Sequence, residues 1–276
     1  MSSNARTIRT ETIGKTTVRL LQSPDGYAGV VIHGGKQSPV LRDDDPDALW
    51  RRLLAEGGKA HPSYFGFDGA RARFLKYFPK AFADPGYVFE ERDYKDKAVA
   101  SIAAMLSEDQ AGDAGPDQCA AAIRAFQATN LVYPVEKSRI KDVLNSDAGP
   151  SFLKSAATFA DGDFARGLAG MIAAIRTKSQ PSWTMLTYLP FMWRPDQYLF
   201  LKPAVTCDFA NRVGHPFGRD YAEGMTALVY ESLLDLGAET RRQIADLSPH
   251  DLIDVQSFIY VVGAYKEDEV IHGRGD

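Results

Sequence analysis

The stretch LIDVQSFIYVVGAY, residues 252–265, is apolar on nearly every side. That is the pattern of a helix buried in the core of a helical domain, since a surface helix keeps one polar face. Ser248, Pro249 and Asp251 precede it and match an N-cap, a first-turn proline and an acidic N3 residue, a variant of the capping box. Asp254 falls one turn inside. An unpaired carboxylate there would lose much of its hydration energy or take up a proton, so Asp254 requires a partner on a neighbouring helix or a chemical role. Gln256 and Ser257 are the other polar residues of this helix.

Working backwards, FLKPAVTCDFANRVGHPFG, residues 200–218, reads as one helix with both ends marked. Pro203 suits the first helical position and Gly214 the left-handed closing residue. Lys202 stands beside the N-terminus, where the helix dipole is positive and a cation has the wrong sign. Free N–H groups and a lysine together favour an anion such as a phosphate. The same field would lower the lysine's pKa and make its amine a nucleophile. Alternatively, the stem packs over YLFL while the ammonium reaches water.

Upstream, WTMLTYLPFMWRPDQYLF, residues 183–200, holds six aromatics: Trp183, Tyr188, Phe191, Trp193, Tyr198 and Phe200. Such a cluster is either core or, with Arg194, Asp196 and Lys202, the wall of a slot for a planar ligand such as an unstacked nucleobase.

The rest of the chain sets the architecture. KTTVRLL (15–21) and YAGVVIH (27–33) read as a hairpin joined by the turn SPDG, with a short strand at SPVLR and a helix at DPDALWRRLLAE. From about residue 68 the pattern is helical, with helices expected over 68–78, 84–106 and 116–129. EDQAGDAGPDQ, residues 108–118, has the composition of a linker. The expected fold is α+β: a small domain of three strands and a helix (1–60), a helical connector (61–117) and a mainly helical domain (118–276).

Composition narrows the function classes. The formal net charge of −4 argues against indiscriminate nucleic-acid binding. The charge is segregated, with net +5 over 1–80, −6 over 81–120, +5 over 121–219 and −8 over 220–276. If the two basic blocks share a face, it can hold a phosphate backbone. Cys119 and Cys207 lie far apart with no C-x-x-C spacing, which suggests neither a disulfide framework nor a zinc site. No apolar run approaches a membrane span and MSSNARTIRTETIGK has no apolar stretch, so a cytoplasmic protein without membrane contact is expected. His250 and Asp251 form an HD pair of the kind metal-dependent phosphohydrolases use.

FLKPAVTCDFANRVGHPF, followed some forty residues later by DLIDVQSFIYVVGAY, resembles the C-terminal part of helix-hairpin-helix DNA glycosylases. There a helix ending in an Asn-Arg pair, here Asn211 and Arg212, precedes a buried closing helix. AIRAFQATNLVYPVEKSRIKDVL (122–144) is similar to their early helix and Gln-containing loop, which places Gln127, Thr129 and Asn130 near the extruded base. The resemblance spans about 120–265. LPFMWRPDQ replaces the family's Gly-x-Gly hairpin, and Pro203 stands where the family carries its catalytic aspartate. The chain also resembles a bacterial family sharing the FLKP and DLIDVQSFI stretches, which carries no function with it.

The resemblance implies a DNA glycosylase that flips and excises a modified or bulky base without a cofactor, with anti-phage defence as a natural role. Lys202, Asp254, Asp196 and Asp208 are the candidate catalytic groups. Gln127, Thr129, Asn130, Trp183, Tyr188, Trp193, Arg194 and Arg212 are the candidate DNA and base contacts. The alternatives are a non-catalytic module that binds modified DNA or a protein partner, and a metal-dependent phosphohydrolase at His250 and Asp251.

Overall fold

The computed structural model describes residues 6–13, 16–24, 26–59 and 63–265. They form an α+β protein, a small antiparallel sheet followed by helices. The strands are β1 (Arg6–Ile13), β2 (Thr16–Ser23), β3 (Gly26–His33), β4 (Lys36–Gln37) and β5 (Leu41–Asp43). They lie in the order β1-β2-β3-β4, with β5 also paired to β3. The expected hairpin is β2 and β3, in register from Thr16↔His33 to Ser23↔Gly26; Asp25 of its turn lies outside the described residues. The sheet is larger than three strands. RTIRTETI lacks the apolar alternation of a half-buried strand, yet as β1 it adds to β2 with its side chains largely exposed.

The helix Pro46–Gly58 covers one face of this sheet, capped by Asp45, whose side chain accepts from the Asp47 and Ala48 N–H groups. Val18, Leu20 and Val31 meet Leu49, Leu53 and Leu54 in a small separate core. The helix lies directly on the sheet at Gly29, where a Cβ would come within 2.1 Å of Leu53 Cδ1.

The remaining helices share a larger core that runs from Ala70 to Val262. It takes in residues on both sides of 117/118, so the segments expected as connector and helical domain are packed as one body. The expected linker is structured. Ser107 and Gln110 form a capping box that opens the helix Glu108–Gly112, Ala111 and Ala114 are buried, and the next helix starts at Pro116. Its Gly and Asp residues mark tight caps there, not an extended tether.

The single helix expected over 84–106 is broken into Pro85–Tyr87, a π-helical turn Val88–Arg92, and Asp93–Met105. At the centre lies Leu252–Ala264, buried along nearly its whole length. Phe258 packs on Phe74 (5.0 Å between centroids) and Phe209 (6.0 Å). Gly263 admits the backbone of the helix Pro203–Val213, for its Cβ would lie 2.7 Å from the Val205 carbonyl oxygen. Asp251, not Ser248, caps the Leu252 helix, accepting from the Ile253 and Asp254 N–H groups. Ser248 instead adopts a left-handed conformation (φ 58°), which leaves Pro249 outside the helix. No helix among the described residues is long and apolar enough to cross a membrane.

Sheet unit and helical body meet through glycines. A Cβ on Gly58 would lie 2.6 Å from the Gly214 carbonyl oxygen, and Gly214 itself has φ +78°. Gly58→Ala is therefore expected to lower stability by about 1–3 kcal/mol through overpacking at this seam, read as a drop in denaturant midpoint. Gly34→Ala, at an open turn position with φ +54° and nothing within 4 Å, serves as a strain-only comparison.

Candidate functional site

Lys202 sits at the end of an extended segment that is held on all sides. Thr187 Oγ1 donates to the Trp183 carbonyl and accepts from Leu201 N–H at 3.0 Å. Tyr230 O–H donates to the Leu199 carbonyl (3.1 Å) and its oxygen accepts from Leu199 N–H (3.3 Å). Tyr198 O–H donates to the Ala160 carbonyl at 2.7 Å. Lys202 is the N-cap of Pro203–Val213, with no side chain capping that helix start.

Beside it opens a cavity of about 160 Å³. The π turn and following helix contribute Glu90, Glu91, Tyr94 and Lys95, the loop after Gln127 contributes Asn130 and Leu131, and the Leu252 helix contributes Gln256 and Tyr260, with Phe200 beside Lys202. The Lys202 ammonium lies over the rings of Tyr260 (5.0 Å) and Tyr133 (5.6 Å). It makes no hydrogen bond or ion pair among the described residues. Burial, and then the charge of Lys95, push its pKa below the usual lysine range, against the opposing pull of Glu91 and Glu136. Lys95 is fully buried, and its Nζ donates to Glu91 Oε2 and Ser257 Oγ, both at 2.8 Å. Glu91 Oε1 accepts from Tyr265 O–H at 2.8 Å. Gln256 is 6% exposed, and its buried Oε1 has no hydrogen-bond donor. Such an atom loses its hydration without compensation until a ligand supplies an N–H or O–H.

Asp254 has the partners its burial demands, and it points away from the cavity. Its Oδ1 accepts from Tyr87 O–H (2.5 Å) and Arg92 Nη1 (2.9 Å). Its Oδ2 accepts from His250 N–H (2.8 Å) and faces His250 Nδ1 (2.9 Å). Burial raises the Asp254 pKa, but these hydrogen bonds outweigh it and hold the carboxyl below its ordinary value. Arg92 also forms a bidentate pair with Asp251 and bonds Asp96.

Of the residues expected at the site, the fold brings Lys202 and Asn130 to the cavity. Of the six aromatics of 183–200, Phe200 borders the cavity, and Trp183, Tyr188 and Trp193 belong to the core. Trp183 stacks on Tyr230 (6.4 Å), while Tyr188 is fully buried with its O–H on the Ala125 carbonyl (2.8 Å) and Thr129 Oγ1 (3.1 Å). Trp193 Nε1–H donates to the Leu106 carbonyl at 2.9 Å, and Arg194 makes a two-pronged pair with Glu108. Asp208 accepts from Arg212 at 2.6 Å, and that guanidinium lies over the Phe65 ring. Asp196 and Gln127 are exposed and away from the cavity. Glu90, Glu91, Tyr94, Lys95 and Tyr260 were not foreseen. The available signal was Lys95, which shares the buried face of its helix with Ala98 and Ile102.

The HD pair is otherwise engaged, since Asp251 serves as a cap and as the partner of Arg92. No group of three or more metal-ligating side chains occurs among the described residues. A larger cleft of about 560 Å³ between Pro46–Gly58 and the helix Ala227–Gln243 carries charged groups. Several are paired, Arg52 with Asp43, Lys59 with Glu56 and Arg242 with Glu239, and His215 Nε2 lies 3.3 Å from Asp235 Oδ2.

Because the Asp254 pKa is depressed by folding, its ionised form stabilises the protein above the unfolded carboxylate pKa of about 3.9, and that stabilisation fades as pH falls through the folded value. The melting temperature is expected to fall steeply below about pH 4. Asp254→Asn should cost about 2–3 kcal/mol at pH 7 and flatten that acid limb; an unchanged limb would assign it to other carboxylates. Compared with known protein families, curated proteins and solved structures, the chain finds no match.

Proposed function

We propose that the protein is a base-excising DNA glycosylase in which Lys202 is the nucleophile and the adjoining cavity receives the extruded base. The observation that carries this reading is a lysine of lowered basicity facing aromatic rings in a cavity whose buried Gln256 carbonyl lacks a donor. A nucleobase edge bearing an N–H would satisfy that oxygen, and Tyr94, Tyr260 and Phe200 offer faces to a planar ring. The resemblance of 120–265 to helix-hairpin-helix glycosylases points the same way.

Chemically, the neutral Lys202 amine attacks C1′ of the sugar, the C–N bond to the base breaks, and its electron pair leaves with the base, which takes up a proton. Glu90, exposed at the cavity wall, is the carboxylate placed to balance positive charge on the sugar. Loss of a proton from the attached nitrogen and opening of the sugar ring give a Schiff base, which water hydrolyses. The substrate class we propose is a modified or bulky base, such as phage DNA carries, met in the cytoplasm.

A non-catalytic module that binds modified DNA is the second reading. It is favoured by Asp196, Asp208 and Asp254 all lying away from the cavity or being paired elsewhere. One experiment separates the two: incubation with unmodified, damaged and hypermodified DNA, with and without borohydride, followed by mass spectrometry of free bases and peptides. The glycosylase reading expects a released base and a reduced DNA adduct on Lys202, with Lys202→Met lowering release by roughly a thousandfold or more. Gln256→Ala is expected to raise KM more than it lowers kcat. Saturable binding with intact DNA throughout would leave the module, and no binding would remove both.

A further inference from the structure

Among the described residues Lys202 pairs with no carboxylate. Its Nζ lies instead over the rings of Tyr260 at 5.0 Å and Tyr133 at 5.6 Å, both inside the roughly 6 Å over which a cation is drawn to a ring face. Both rings are held in place. Tyr133 N–H donates to Glu136 Oε2 (3.3 Å), and its carbonyl accepts from the Glu136 and Lys137 N–H groups (both 2.9 Å). Glu136 is fixed in turn by Thr184, whose Oγ1 donates to its Oε1 at 2.5 Å. Tyr260 stands on the Leu252 helix, its ring nearly perpendicular to that of Tyr265 (6.0 Å between centroids), and the Tyr265 hydroxyl is bonded to Glu91. Tyr133 is 58% exposed, so core packing does not account for where its ring lies.

A carboxylate and a ring do different things to an amine. A carboxylate at hydrogen-bond distance holds the ammonium and keeps its lone pair out of use. The negative face of a ring attracts a cation more weakly and has little hold on a neutral amine. It therefore leaves the proton removable and acts when charge appears on the nitrogen. Charge appears during attack: the Nζ lone pair forms the bond to C1′, the bond from C1′ to the base breaks with its electron pair leaving on the base, and the nitrogen is a cation until it releases a proton.

We propose that Tyr133 and Tyr260 are catalytic groups whose ring faces stabilise the positive charge that develops on Lys202 Nζ in this step. The assignment rests on the nucleophilic role given to Lys202 above. The other charged and titratable groups around Lys202 are Glu90, Glu91, Tyr94 and Lys95 on the π turn and the helix after it, and Glu136 beside Tyr133. All of them stay unchanged when only the rings are altered. The effect shows in full where the resting amine is neutral. Where it is protonated, the rings stabilise the resting state and the transition state alike, and the two contributions offset.

The test uses the full-length protein without DNA and acetic anhydride as the probe, a small electrophile that an amine attacks with loss of acetate and a proton. Acetylation of Lys202 is followed by mass spectrometry across pH, which gives its titration midpoint and its limiting rate at high pH. The exposed Lys97 is the internal control. Tyr260→Phe keeps the ring and removes a hydroxyl that ionises at about pH 10. Phenylalanines carrying successive ring fluorines at that position then keep the shape while draining negative charge from the face. Tyr260→Phe is expected to leave the limiting rate within about twofold, and the fluorine series to lower it stepwise by roughly three- to thirtyfold in all. The midpoint should fall alongside, because the ammonium loses the same contact. The series at position 133 should give a smaller drop, its ring being farther from Nζ and more exposed. A limiting rate indifferent to fluorine at both positions would overturn the proposal, since a ring acting only as a wall does not respond to its charge distribution. An equal fall at Lys97 would overturn it too. On any DNA from which the wild type releases a base, release above the midpoint should follow the same order. A flat series with base release sinks this inference alone, whereas a graded series with no base released from any DNA sinks the glycosylase reading alone.

Discussion

Everything near the cavity depends on one guanidinium. Arg92 bonds Asp96 on its own helix and Asp251 and Asp254 on the Leu252 helix, so a single cation ties three carboxylates from two elements. Asp254 is fully buried, and without Arg92 and Tyr87 its charge would be expelled from the core or neutralised. The pair does more than satisfy itself. It docks the π turn Val88–Arg92 against the start of the Leu252 helix, and that docking presents Glu91 to Tyr265 and Lys95 to Ser257. Irregular turns of this kind are commonly found at functional sites. Here the turn lets consecutive residues, Glu91 and Arg92, both engage the Leu252 helix and its end.

Much of the architecture was legible in the residues. The apolar girth of LIDVQSFIYVVGAY announced a central helix, and Pro203 and Gly214 bound their helix as written. Asp254 was recognisable as a buried carboxylate requiring partners. The partners themselves were out of reach, because Tyr87 and Arg92 lie more than 160 positions away and nothing local points to them. Other errors came from local signals with two meanings. Ser248 and Asp251 both suit a cap, and Asp251 prevails because its carboxylate also serves Arg92. The glycines and aspartates of 108–118 mark tight caps as readily as a tether.

The aromatic segment 183–200 shows the same ambiguity at the site. Six aromatics close in sequence suggest a stacking wall, but a helix spreads residues around its axis, and here nearly every direction is core. The hydroxyl of Tyr188 and the N–H of Trp193 are spent on backbone carbonyls. Of the six, Phe200 borders the cavity, and its companions there, Tyr94 and Tyr260, come from two other parts of the chain. Lys202 was conspicuous because its charge opposes the helix dipole. Lys95 was not, because a lysine within an Asp- and Lys-rich helix start looks solvated until the packing is known.

The way Leu199 is held has a kinetic side. With one tyrosine hydroxyl serving both its N–H and its carbonyl, and Leu201 tied to Thr187, the segment bearing Lys202 has few alternative conformations to visit. An incoming ligand meets a floor already in place and gives up little backbone entropy to use it.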